Sequence, residues 1–283
     1  MPLRVLPLCV TLAFLAACRS AAPLMAPGPV AVTRLTPAEA DARAEVVRQD
    51  PVGYIERVAE RCRTLHEYTL TFVRQERRGL LPRLSPPEHI QCWFRREPFS
   101  VRMKWLDTDI KYGESAYVEG ERDNKVRFVT RWWSPPLLPP PAVNRVDLQT
   151  PVIWGESKRP LTDFGLERLM DRTLDSLRRA GEEVVVRYEG LRALPGSDTT
   201  VHHIHIEYPA AKFPVPVQEL YIDVETDLPA GTVLKYPSGE IDAAYLYRDI
   251  RSAVRLTDTD FLLDAERASA RPAGGSPATP ARQ

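Results

Sequence analysis

Phe99-Ser100-Val101-Arg102-Met103-Lys104-Trp105 sets large apolar side chains at every second position, with small or charged ones between. In extended chain, Phe99, Val101, Met103 and Trp105 share one face and Ser100, Arg102 and Lys104 the other, as a half-buried strand requires. Just upstream, Ile90, Cys92 and Phe94 alternate with Gln91, Trp93 and Arg95, and Leu70 and Phe72 alternate with Thr69, Thr71 and Val73. Downstream, Val126, Phe128, Thr130 and Trp132 alternate with Lys125, Arg127 and Arg131. Residues 184–191, 200–208, 217–224, 231–236 and 241–251 carry further extended patterns, joined by short turns. An antiparallel sheet with one solvated face is the structure this period demands. The expected fold is mainly β (α+β), an open and highly curved antiparallel half-barrel of about nine to eleven strands.

Such a sheet cannot leave its apolar face in water, and two helical regions are available to cover it. Thr36-Pro37-Ala38-Glu39 reads as a capping box with proline at the first helical position. Asp50-Pro51 repeats the cap-and-proline signal, so a helical region over 37–65 is expected to bend or restart there. Val52, Ile55, Val58, Ala59, Cys62 and Leu65 fall on one face of it. A second helix over 163–180 gathers Leu166, Leu169, Met170, Leu174 and Leu177 on one side, with Thr162 or Asp163 as cap and Gly181 as terminator.

The ends of the chain read differently. Arg4 precedes a short apolar run to Ala17, too short to cross ~30 Å of hydrocarbon as a helix. A basic start, an apolar stretch and small residues before a cut describe a signal peptide over 1–17. Leu15-Ala16-Ala17-Cys18 resembles the lipobox of bacterial lipoproteins. That resemblance implies cleavage before Cys18 and diacylglyceryl transfer to its sulfur, which anchors the chain to a membrane. In Gram-negative lipoproteins an Asp after the lipidated Cys implies inner-membrane retention. Arg19 therefore points to the outer membrane, on its periplasmic face. Residues 18–35 form an Ala-, Pro- and Val-rich tether. Residues 265–283 hold so little apolar bulk that a disordered tail is expected, leaving 36–264 as a single folded domain.

Composition narrows the function. Lys and Arg number 38 against 38 Asp and Glu, so no basic face for nucleic acid is implied. Of four cysteines, Cys9 lies in the leader and Cys18 at the lipid site. Cys62 and Cys92 remain as a candidate disulfide in an oxidising compartment, although their spacing says nothing about bridging distance. Neither Gly-x-Ser-x-Gly nor His-Glu-x-x-His nor a phosphate loop occurs, so neither catalytic residues nor a cofactor are expected. His203, His205 and Glu207 would share one strand face, a weak candidate for holding a metal. The bland alternative for them is an ordinary polar outer face.

Several segments, taken in order, resemble the domain-of-unknown-function family 1571. They are residues 67–73 (EYTLTFV), 97–105 (EPFSVRMKW), 117–120 (YVEG), 159–166 (RPLTDFGL), Ile222-Asp223, Leu228-Pro229, 245–249 (YLYRD) and Asp260-Phe261. The family in turn is similar to the LolA/LolB type of lipoprotein carriers, an open curved barrel whose helices close a cavity for acyl chains. The resemblance implies a fold suited to ligand binding, while the family's own biochemical role is unassigned; the absence of catalytic motifs leads to the expectation of no enzyme. No residue is carried over from the carriers, but a strongly curved sheet leaves more volume than its helical lid fills, and Phe99, Val101, Met103 and Trp105 on one strand and Leu220 and Ile222 on another are expected to line that cavity. Leu166, Leu169 and Met170 would line it from the helix. Trp132, Trp133, Leu137 and Leu138 flank or lie within a proline-rich stretch that can join neither sheet nor helix, a candidate membrane- or partner-touching loop. The expected partners are the membrane through the lipid anchor, a lipid or acylated protein as ligand, and an envelope protein. The competing expectation is a structural envelope lipoprotein whose interior is filled by its own side chains.

Overall fold

The computed structural model describes residues 33–79, 82–131 and 143–270. Cys18, the proposed leader and most of the tether lie outside these residues, as do Trp132, Trp133, Leu137 and Leu138. The first half of the chain forms β1 (Glu67–Arg78), β2 (Arg83–Leu84), β3 (Glu88–Arg95), β4 (Ser100–Trp105), β5 (Tyr112–Val118), β6 (Val126–Thr130) and β7 (Asn144–Val146). The second half forms β8 (Val185–Ala193), β9 (Thr200–Glu207), β10 (Val217–Asp223), β11 (Pro229–Lys235) and β12 (Ile241–Arg251). All join one antiparallel sheet in the order β7-β6-β5-β4-β3-β1-β12-β11-β10-β9-β8, with β2 paired to β1 alone. Each half is a meander, and the two meet where β1 pairs with β12, Phe72 opposite Tyr247 and Arg74 opposite Tyr245. Because β7 and β8 do not pair, the sheet stays open. The outer strand β8 shifts register between Tyr188 and Gly190, whose φ of 95° suits glycine.

The twelve strands among the described residues exceed the expected count for identifiable reasons. β2 and β7 are two and three residues long, below what a periodic pattern can reveal. β5 reads Tyr-Gly-Glu-Ser-Ala-Tyr-Val and is buried on both faces from Gly113 onward, so it shows no apolar–polar alternation.

The helices cover one face. α1 (Pro37–Gln49) carries the expected capping box: the Glu39 N–H donates to Thr36 Oγ1 at 3.3 Å and the Thr36 N–H to Glu39 Oε2 at 2.8 Å. α2 (Pro51–Arg63) restarts at Asp50, whose carboxylate accepts from the Gly53 N–H at 2.9 Å. Ile55, Val58, Ala59 and Cys62 are buried as read, whereas Val52 is exposed and Tyr54 takes its place inside. α3 (Thr150–Ile153) is a single turn beyond the proline stretch. α4 (Leu166–Ala180) packs against α2 and buries Leu166, Leu169, Met170, Leu174 and Leu177.

The start of α4 corrects the sequence reading. Thr162 and Asp163 form a separate 3-10 turn and do not cap the helix. Gly165 precedes it at φ 135°, and the Leu166 N–H donates to the Tyr68 hydroxyl of β1 at 3.0 Å. A Cβ on Gly165 would sit 3.3 Å from both that hydroxyl and the Phe94 ring, so glycine serves close approach as well as φ. A cap contributed from 98 residues away leaves no local trace in sequence.

The C-terminal boundary also moves. A 3-10 turn (Asp258–Phe261) and α5 (Asp264–Ala270) strap the opposite face of β4–β6, so order continues beyond 264. Phe261 and Leu263 are fully buried, but charge holds the rest. Arg127, 1% exposed, donates to the Phe261 carbonyl at 3.0 Å and pairs with Glu266. Arg102 reaches Asp264 at 2.7 Å and Glu114 at 3.2 Å while stacking over Trp93. The face of β4 expected to be solvated is thus covered.

Removing one member of a buried pair strands the other. Arg127→Ala should therefore lower unfolding free energy by about 3–5 kcal/mol in a urea titration, and a loss under ~1 kcal/mol would show that the strap is held some other way. Tyr68→Phe removes one helix cap and should cost about 1 kcal/mol in the same assay.

Candidate functional site

Most of the residues expected to line a cavity are instead solid core. Val101, Leu166, Met170, Leu220 and Ile222 are completely buried and Leu169 nearly so, all within one cluster joining α2, α4 and the sheet. Phe99 is half-buried and packs edge-on to Phe94, with ring centroids 5.6 Å apart. Cys62 and Cys92 belong to the same cluster as unbridged thiols, so the candidate disulfide is absent. Burial pushes the Cys62 thiol up to about 12 and Cys92 well above its ordinary value, which leaves both unreactive.

Space remains at one end, over β1 and β4–β6. Met103 and Trp105, two of the expected residues, line a cavity of about 130 Å³ there. Its far wall is the segment after the proline stretch: Pro151 and Trp154 around α3, then Glu156, Ser157, Arg159 to Leu161, and Phe164. Phe72, Tyr245 and Tyr247 line it from the paired strands β1 and β12, with Phe72 stacked 5.4 Å from Tyr247. Tyr112 and Phe128 enclose it from β5 and β6, Tyr112 lying 5.8 Å from both Trp105 and Phe128. The volume roughly suits a benzene-sized guest and falls below the ~300 Å³ of drug-sized pockets. A short stretch of alkyl chain fits; a longer one must continue through the mouth.

The cavity has a charged margin that sequence reading missed. Glu88 is nearly buried, accepts from the Trp105 indole N–H at 2.7 Å and from Arg74 at 2.7 Å, and pairs with Arg78. Burial raises its pKa, but the two guanidiniums outweigh that and hold the carboxyl below its ordinary value. Glu76, equally buried, accepts from the Tyr245 hydroxyl at 2.6 Å. Arg159 and Arg172 approach from the other side and share Asp163, at 3.4 Å and 4.0 Å. The available signal was Arg74 and Glu76 standing two apart on β1, which puts both on the apolar face of Phe72.

The histidine strand resolves into a different group. His203 Nε2 lies 2.8 Å and His205 Nδ1 3.1 Å from one oxygen of Glu219 on β10, whose other oxygen accepts from Lys235 at 2.9 Å. Glu207, placed with the two histidines by sequence, is exposed and takes no part. Among the described residues no group of three His, Cys, Asp or Glu side chains is arranged to hold a metal ion. Burial raises the Glu219 pKa, but hydrogen bonds from His203 and Lys235 outweigh it and bring the carboxyl down to about 2 from its ordinary 4.5. Glu219 therefore contributes stability above pH 4.5 that is lost as pH falls toward 2. In acid denaturation, the stability advantage of the wild type over Glu219→Gln should shrink across that window. An advantage independent of pH would remove the ionic account.

Several solved structures are similar to the chain at low identity and low TM-score. A chain of the Pseudomonas aeruginosa MucA/MucB complex is 14% identical with a TM-score of 0.39; the match covers 76% of this chain and 61% of that one, less than two thirds of its length. Mycobacterium tuberculosis lipoprotein LppX is 9% identical with a TM-score of 0.42, over 74% of this chain and all of the other. A LolA superfamily protein from Nitrosomonas europaea is 8% identical with a TM-score of 0.34, covering 75% and 97%. No curated protein matches the chain. The model of DUF1571, a family of proteins of unknown function, matches residues 65–270, from the residue pair before β1 through α5, and the chain belongs to that family.

Proposed function

We propose that the protein is an exported lipoprotein, lipidated on Cys18 and anchored to the outer membrane facing the periplasm, that binds an acyl chain of a lipid or acylated protein. The aromatic cavity over β1 and β4–β6 carries this reading, because its largely apolar wall would take an alkyl chain out of water. The lipobox-like residues 15–18 support the anchor. No described helix is long and apolar enough to cross a membrane. An anchored protein with such a cavity suits a receptor or stationary holder better than a soluble shuttle.

The packed interior beneath α2 and α4 favours a second reading, an interaction lipoprotein of the envelope. Ile153 is 77% exposed and Trp154 58% exposed on α3, a small apolar docking tip. Trp132, Trp133, Leu137 and Leu138, outside the described residues, remain a separate proposal for a membrane- or partner-touching loop.

Ser115 faces the cavity with a small side chain, so Ser115→Phe fills it. The neutral apolar fluorophore 1-N-phenylnaphthylamine should brighten with residues 19–283 and lose at least about tenfold in affinity with the variant. Ile153→Ser should leave that binding unchanged. Equal brightening with Ser115→Phe would remove the cavity as the ligand site.

A further inference from the structure

The cavity is apolar along most of its wall, yet one end holds a surplus of hydrogen-bond donors. Arg172 projects from α4 and Arg159 from the segment before it, and both line the space together with Tyr247 of β12. Each guanidinium offers five N–H groups. Among the described residues Arg172 uses one, on the Asp163 carbonyl at 2.9 Å, and the Arg159 side chain uses one, on the Asp163 carboxylate at 3.4 Å. The Tyr247 hydroxyl has no partner among the described residues, although its side chain is 5% exposed.

The acids nearby do not balance this surplus, because their own donors already occupy them. Glu76 accepts from the Tyr245 hydroxyl at 2.6 Å, and Glu156 takes Lys111 at 3.2 Å. Glu88 is saturated by Arg74, Arg78 and the Trp105 indole, which also removes Arg74 from the free donors. Only Asp163 answers the two arginines. Burial lowers the Arg172 pKa and outweighs the raising pull of Asp163. The side chain is still 28% exposed, so an anionic acceptor delivered from outside can reach it.

We infer that Arg159, Arg172 and Tyr247 bind the anionic oxygen head, carboxylate or phosphate, of a single-chain amphiphile whose alkyl chain lies against Phe72 and Phe128. The inference rests on the acyl-chain reading above and deepens it: the ligand is an anionic amphiphile, entered tail-first along the aromatic wall with its head at the arginine end. Arg172 supplies charge and direction, and Tyr247 a neutral donor that fixes the head.

Photolabelling of the full chain in membranes of the expressing cells tests this. The probes are diazirine-bearing decanoic acid, decyl phosphate and decanol, with labelled positions mapped by mass spectrometry. The acid or the phosphate should label cavity residues at a concentration at least about tenfold below decanol, as one charge-assisted contact implies. Whichever anion labels at the lower concentration identifies the head as carboxylate or phosphate. Arg172→Met should erase the preference while leaving decanol labelling intact, which also reports that the cavity still forms. Arg172→Lys should restore part of it, and Arg159→Met provides a second, more exposed site to weaken. Equal labelling of the wild type by decanol and both anions would overturn the anionic head and leave the acyl-chain reading standing. Failure of all three probes to label the cavity would overturn both.

Discussion

The pairing of β1 with β12 is the contact on which the rest of the molecule depends. Without it the chain would be two separate meanders, each with a bare apolar face and two open edges. With it, β1 lies between β3 and β12 and its inward side chains serve three purposes in sequence. Tyr68 caps α4, Leu70 and Phe72 join the core, and Arg74 and Glu76 set the polar margin of the cavity. Helix placement and cavity placement are therefore consequences of one strand's register. A slip of one residue would turn all of these side chains to the other face.

Charge is arranged on both sides of this sheet as carefully as apolar bulk. Inside, Arg74, Arg78, Glu76 and Glu88 form a partly desolvated network at the cavity margin. Outside, Arg102 and Arg127 draw the C-terminal strap onto β4–β6. Buried pairs of this kind add little net stability, since desolvation offsets much of the attraction. They do penalise any arrangement that leaves one partner alone. The sheet is thereby committed to one way of being covered on each face.

The architecture was legible because alternation and capping are local signals. Phe99 to Trp105 and its sister strands announced an antiparallel sheet, and Thr36 and Asp50 marked two helix starts to the residue. What escaped was non-local. β5 hid because burial on both faces erases its period, and the cap of α4 comes from Tyr68 on a distant strand. The cavity was expected beneath α4, among residues that turned out to be its tightest packing, such as Met170 and Ile222. Of the expected residues Met103 and Trp105 line the cavity that is present, since periodicity reveals which face a residue takes but not whether that face is filled opposite it. The arginine end could not have been found from sequence, because donor surplus is a property of distances.

An open sheet also has ends. β8 is nine residues long and, among the described residues, pairs with a strand on one side alone, which makes its other side a template on which a second chain could add itself. Its shift at Tyr188 and Gly190 breaks the straight run of the ladder, and Arg187, Glu189 and Arg192 stud the strand with both signs of charge. α1 packs close beside it. The other terminus, β7, is only three residues long. By bulge, charge and brevity the molecule guards its two margins against edge-to-edge polymerisation, a hazard that a closed barrel escapes by having no edge at all.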